Sequence, residues 1–360
     1  MRKLALLCFA LLSVPAVWAA VLPVGVAAQT SPAYRGEWTA DTYNTWRGDD
    51  GEPRVQFNLR TSAGDSRWGF GVRLRDLVGF PPAAAANLAN DIQFTWTREA
   101  GTFRFNGSFD QGRGSGTYTF TQDQTFVNNM AGVGYKNLTA DDIVRLAVID
   151  VTIAHVRGLA QAGYPNLPLD DIVRTRIHRV TPEFIRGLAD AGYKGIAVED
   201  LIRMGIHGAT PENIKALQAQ GMRGLSVEDL IRFRIHKVTP EFIRAMEQRG
   251  YKNIPAEDLV KMRIHKVSPE EMDQLKTLGF GGLAVDDLVK FRIHKVTPEF
   301  IRSMKDVGFV TISEDQLVRL RIHKVDAKFI RDARADGLTV QTPGDAVDLA
   351  IHGPKWRRRG

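Results

Sequence analysis

Histidine stands at 178, 207, 236, 265, 294, 323 and 352, one every 29 residues. A file of imidazoles at fixed spacing is the first candidate for chemistry. Metal binding needs at least two of them within about 2.0–2.1 Å of one ion. Equivalent positions on stacked helical units lie roughly 8–10 Å apart. Adjacent rungs are therefore too distant to share an ion, and neither a metal site nor a cofactor is predicted. The imidazoles read instead as caps over exposed carbonyls at helix C-termini. His155 falls out of this register. It occupies the place that Phe184 takes one period later, which predicts a partly buried packing substitution.

The other reactive groups are sparse. No HExxH, phosphate-binding loop or nucleophile elbow occurs, and the one cysteine, Cys8, sits in an N-terminal apolar segment. Acidic pairs recur as Glu199-Asp200, Glu228-Asp229, Glu257-Asp258 and Asp286-Asp287. A catalytic pair needs no copy in every unit, whereas a helix start favours acidic residues each time. No catalytic residue is assigned, and the chain reads as a non-enzyme. The alternative from another class is an enzyme with a site where the two domains described below meet. The strongest binding candidate is a basic ladder: Arg234, His236 and Lys237; Arg263, His265 and Lys266; Arg292, His294 and Lys295; Arg321, His323 and Lys324. Stacked, these form a cationic stripe, with the acidic helix starts as a second stripe elsewhere. Such an edge suits a protein or an anionic envelope polymer.

Charge mapping narrows the partners. The formal net charge is +7, but Arg2 and Lys3 add two units and the tail residues Lys355, Arg357, Arg358 and Arg359 add four. Residues 34–120 hold ten basic and ten acidic residues. A nearly neutral body argues against nucleic acid. So does the Ile-His-Lys-Val-Thr-Pro connection, which only loosely resembles a helix-hairpin-helix motif and carries proline where that motif offers a glycine N–H. A nucleic-acid-binding hairpin array is kept as a further alternative. Arg2 and Lys3 precede LALLCFALLSVPAVWAA, the pattern of a secretory signal over 1–28, with small residues for cleavage at Ala19 or Ala28. A periplasmic or secreted protein is expected, with no membrane span in the mature chain. Residues 354–360 read as a basic tail.

The elements that carry these residues follow from the same period. Glycine recurs at 134, 163, 192, 221, 250, 279, 308 and 337. Each unit predicts two short helices. The first opens at Thr-Pro (Thr181-Pro182, Thr210-Pro211, Thr239-Pro240, Thr297-Pro298, with Ser268-Pro269), where the hydroxyl caps and proline takes a position needing no N–H. The periodic glycine then ends it in a left-handed turn. The following residue turns back on Met130, Leu159, Leu188, Leu217, Met246, Leu275, Met304 or Ala333. The second helix starts near Ser226, Ser313 or Thr342 and closes on Arg-x-Arg-Ile-His-Lys. Apolar residues recur at Val180, Phe184, Ile185, Leu188, Tyr193, Ile196, Leu201, Ile202 and Ile177, all expected in a core. One unit buries too little to fold alone, so stacking is predicted: an α-solenoid of eight 29-residue two-helix repeats over 121–353. Residues 34–120 alternate apolar and polar with period two in PRVQFNLRT, RWGFGVRLRD, DIQFTWTRE, GTFRFNGSFD and GSGTYTFTQ, predicting five or six antiparallel strands in a sandwich or curved sheet. LVGFPPAAAANLAN is read as a long connection holding a helical turn. Trp38, Trp46, Trp68 and Trp96 are expected mostly in its core, with a ligand groove as the other reading. The fold class is α+β.

The combination of RWGFGV, REAGTFRFNGSFDQGRGSGTYTF and repeated RIHKVTPEFIR over residues 35–352 resembles a class of bacterial extracytoplasmic repeat proteins. Similar repeats follow the membrane metallopeptidase part of some antirepressor proteins of the β-lactam-sensor type. The resemblance implies a sensing or binding accessory. It carries over no functional residue, and the peptidase's zinc motif is absent here.

Overall fold

The computed structural model describes residues 33–42, 51–61, 67–81 and 88–353. Residues 1–28, read from sequence as a signal, with Cys8, Trp46 and residues 354–360, lie outside the described residues. The fold is α+β: an antiparallel curled sheet followed by sixteen described helices. Two compact units result. One runs through Trp96 and from Thr102 to Gln124; the other takes Thr97–Gly101 and the chain from Thr125 onward.

The sheet holds β1 (Ala33–Asp41), β2 (Arg54–Thr61), β3 (Arg67–Arg73), β4 (Leu77–Val78), β5 (Ala89–Arg98), β6 (Gly101–Asp110) and β7 (Arg113–Gln122), in the order β3-β2-β1-β7-β6-β5-β4. Seven strands replace the expected five or six. Two strands were missed from sequence, the two-residue β4 and the central β1, whose Trp38 faces Leu59 of β2 and Gly116 of β7. Its buried positions are Gly36, Trp38 and Ala40, and two small residues give little hydrophobic signal. Phe70 in edge strand β3 stacks on Trp96 of β5, centroids 5.0 Å apart, so the two margins of the sheet meet around one aromatic core. Trp38 is at that core's centre. Its indole N–H lies 3.1 Å from both the Asn106 and Thr117 carbonyls, which satisfies a buried donor. Trp38 and Trp96 are buried and Trp68 is half-buried. The LVGFPPAAAANLAN connection begins with β4, and a single 3₁₀ turn at Leu74–Asp76 precedes it.

The helices are of two kinds. One kind comprises α1 (Gln124–Gly132), α3 (Ile153–Gln161), α5 (Pro182–Asp190), α7 (Pro211–Ala219), α9 (Pro240–Gln248), α11 (Pro269–Thr277), α13 (Pro298–Asp306) and α15 (Ala327–Ala335). Thr152, Thr181, Thr210, Thr239, Ser268, Thr297 and Asp326 cap α3 to α15, each side-chain oxygen accepting from the backbone N–H three residues on. After each of the eight helices comes the periodic glycine, at φ between 80° and 105°. The next residue's N–H reaches back to the named carbonyl, as in Tyr164 to Leu159 at 2.9 Å and Phe309 to Met304 at 3.0 Å. A side chain at that φ is strained, which is why glycine holds the place.

The other kind comprises α2 (Ala140–Ile149), α4 (Leu169–Ile177), α6 (Val198–His207), α8 (Val227–Ile235), α10 (Ala256–Ile264), α12 (Val285–His294), α14 (Glu314–Ile322) and α16 (Pro343–His352). Thr139, Ser226, Ser313 and Thr342 form reciprocal capping boxes. Each even helix packs on the next even one from α2 to α16, and odd helices pack alike through α3, α5 and α7 and through α11, α13 and α15. Buried side chains such as Ile185, Leu188, Leu201, Ile202 and Met204 fill the interior. Among the described residues no helix is long and apolar enough to cross a membrane.

One expectation fails at every rung. Ile177, placed in the core from its spacing, is 50% exposed, and Ile206, Ile235, Ile264, Ile293, Ile322 and Ile351 match it at 47–51%. It is the last or next-to-last residue of its helix, beyond the interval that packs inward. Phe184 and Tyr193 are half-buried; the other six positions of that set are buried.

Candidate binding edge

The basic ladder lies at the C-terminal ends of α8, α10, α12 and α14, and its three residue types do different work. The arginines are fastened to the rung before them. Nε of Arg234, Arg263, Arg292 and Arg321 donates to the carbonyl of His207, His236, His265 and His294, at 3.5, 3.3, 3.1 and 3.1 Å. The guanidinium then rests on whatever the odd helix offers. Arg263 lies 4.9 Å over the Phe242 ring and Arg321 4.9 Å over Phe300. Where Glu271 replaces that phenylalanine, Arg292 pairs with its carboxylate at 2.7 Å. These arginines are tied into the protein's own structure, although Arg234 remains exposed.

His236, His265 and His323 are the C-cap residues of their helices, and His294 is the last residue of α12. Their backbone carbonyl or N–H serves as the fastener, and their rings are half-buried. Among the described residues no three histidine, cysteine or acidic side chains gather where they could hold a metal ion.

The lysines differ. Lys237, Lys266, Lys295 and Lys324 are exposed, and each has φ 56°, the left-handed region. Each N–H points back to the helix, as in Lys237 to Arg234 at 3.3 Å, while Val238 reaches Phe233 at 2.8 Å. Helices α8, α10, α12 and α14 thus end in the same turn as the odd ones, with lysine where glycine belongs; after α2 and α4 the same place is held by Asp150, φ 61°, and Arg179, φ 58°. At the equivalent place α6 ends on Gly208, φ 68°. Sequence reading missed this turn because lysine does not announce it; the alignment of Gly208 with the four lysines was the available signal. Among the described residues no acidic group lies within ion-pair reach of these four lysines.

The second, acidic stripe is not free. Arg145 reaches Asp170 at 2.5 Å, Arg174 reaches Glu199 at 2.8 Å, Arg203 reaches Glu228 at 2.7 Å, and Lys261 pairs with Asp286. Each pair joins one even helix to the start of the next. The hydrogen bond from Arg174 holds the Glu199 carboxyl below its ordinary value, and Lys261 does the same for Asp286. Exposed pairs of this kind stabilise little, but they engage part of the acidic stripe.

Tyrosine adds a further fastener that sequence reading did not single out. The hydroxyls of Tyr135, Tyr164, Tyr193 and Tyr251 donate to the carbonyls of Leu167, Ile196, Leu225 and Leu283, at 2.6, 2.7, 2.8 and 2.6 Å. Met222 stands in this series without a hydroxyl. Open grooves of about 470 and 460 Å³ follow these turns, one beside Met222 and Tyr251, one beside Tyr164 and Tyr193.

His155 is buried, as its alignment with Phe184 suggests. Its Nε2 lies 3.0 Å from Oγ of Thr175, whose hydroxyl donates to the Ile172 carbonyl at 2.7 Å, so the ring proton belongs on Nε2. Burial, then the nearby Arg176 cation, pushes its pKa down to about 4, against a smaller upward pull from Glu183. Thr175 takes a place held by Met204, Phe233, Met262 and Phe291 elsewhere, so two polar substitutions satisfy each other. A comparison with protein-family models finds no match for this chain, and a comparison with curated proteins finds no similar sequence.

Proposed function

We propose that residues 121–353 form an α-solenoid of eight 29-residue two-helix repeats, in an exported, non-enzymatic protein that binds an anionic partner, a protein or an envelope polymer, along its lysine edge. The recurring helix starts and the neighbour-to-neighbour packing support the repeat reading. The N-terminal signal pattern supports export.

One observation carries the binding role. Four lysines occupy left-handed backbone, φ 56°, where a β-carbon is strained and where Gly208 meets the same geometry without that strain. Strain kept in place of an available relief points to a task for the side chain. With the four arginines fastened to neighbouring carbonyls, these lysines are the cations that the edge offers.

The test replaces the strained residue by the unstrained one. K237G/K266G/K295G/K324G in the full chain should fold at least as stably as the parent. Its affinity for sulfated dextran, measured by titration calorimetry, should fall at least tenfold. Equal affinity in the two proteins sinks the reading.

A further inference from the structure

The lysines do not stand alone on their edge. Two residues before each lies one of the seven half-exposed isoleucines, so Ile235 accompanies Lys237, Ile264 accompanies Lys266 and Ile293 accompanies Lys295. Seven of the ten exposed large apolar side chains among the described residues belong to this one file. Scattered apolar side chains on a surface need no explanation, but a repeated, aligned set does.

Resting on the anion-binding reading above, we propose that this edge takes an extended peptide in the polyproline II conformation, with one apolar and one acidic residue in each three-residue turn. Packed helices stand about 8–10 Å apart, which sets the distance between rungs. A polyproline II chain advances ~9 Å per turn of three residues. A β-strand repeats its face every ~7 Å and an α-helix turns every 5.4 Å, so neither keeps step with the rungs. In the matched chain each turn lays its apolar side chain beside an isoleucine and its carboxylate beside a lysine. The isoleucines are about half exposed, which suits a slim chain laid alongside them. A bilayer is the less suited partner: interfacial anchors are rich in aromatic residues, and the exposed apolar set holds none.

Fluorescence anisotropy with labelled (Leu-Glu-Pro)6 tests this. The full chain should bind it at least tenfold more tightly than a shuffled peptide of the same composition, and should not bind (Leu-Lys-Pro)6. I235S/I264S/I293S should lose at least tenfold in peptide affinity while keeping its affinity for sulfated dextran and its helical circular dichroism. If the serine set melts early, I235V/I264V/I293V, which shortens the side chains without adding polarity, should still weaken binding measurably. Equal binding of the ordered and shuffled peptides overturns the proposal, as does isoleucine-dependent binding to phosphatidylglycerol vesicles without peptide binding. If the peptide fails while dextran still binds through the lysines, the pitch argument falls and the anion-binding reading stands. If both ligands fail, both readings fall.

Discussion

At the scale of single residues, two kinds of side chain, histidine and lysine, sit where their chemistry opposes the fold, and each gives a measurable consequence. His155 is buried neutral, with its pKa lowered to about 4 from an ordinary 6.5. A lowered pKa means that the folded state resists protonation. The stabilisation is whole above pH 6.5 and is lost as pH falls through 6.5 toward 4, up to about 3 kcal/mol at full protonation of the unfolded chain. Thermal melts at pH 7.5 and pH 4.5 should therefore differ more for the parent than for H155F, whose ring matches Phe184. An equal pH response in both removes His155 as the cause. At the lysines the expectation runs the other way: K237G alone should raise stability by about 0.5–1 kcal/mol in denaturant titration, because it relieves the left-handed backbone, while K237A should not. His155 was legible in the sequence, since an aligned Phe184 defines its surroundings. Lysine strain was not, because a side chain's identity rarely reveals a positive φ.

At the scale of elements, the two helix types show what a sequence exposes and what it hides. Odd helices carry their own signals, Thr-Pro at the start and glycine at the end, and both signals correspond to observed caps. Even helices have clear starts only where Ser226, Ser313, Thr139 or Thr342 supplies a hydroxyl; Pro168, Ala197, Pro255 and Ala284 cap without a side-chain bond. The isoleucine at the even helix end misled for a physical reason. Periodicity marks apolar residues as inward, and it cannot tell the last buried turn from the exposed residue just beyond it. The first strand was hidden by Gly36 and Ala40, too small to register in an alternation. Caps and latches can be weighed directly. T239A should cost about 1 kcal/mol by loss of the bond to the Phe242 N–H. Y193F should cost about 1 kcal/mol by leaving the Leu225 carbonyl without its donor. Equilibrium unfolding in urea reads both, and a Y193F protein as stable as the parent removes the tyrosine from the list of fasteners.

At the scale of the whole molecule, the described side-chain bonds among the helices and the turns between them span no more than 32 residues. The arginine-to-histidine carbonyl bond spans 27 residues, the tyrosine latch 32 and the ion pairs 25. Exposed ion pairs are weak and screened by salt, so raising the ionic strength from 0.1 M to 1 M should move the melting temperature little. The same change should abolish binding to sulfated dextran. A large loss of stability instead would show that the charge pairs, not the buried residues, hold the rungs together. The proposed solenoid can also be shortened link by link. Excision of residues 210–238 joins Ala209 to Thr239 and takes out Met222, which, like Phe280 and Phe309, has no hydroxyl at this place. It brings Tyr193 opposite the Ile254 carbonyl, Arg203 opposite Glu257 and Arg263 opposite the His207 carbonyl, each a partner of the kind it had before. The trimmed protein should still unfold in one cooperative step, with one lysine fewer along its edge, so that the length of ligand it can grip is written in the number of links.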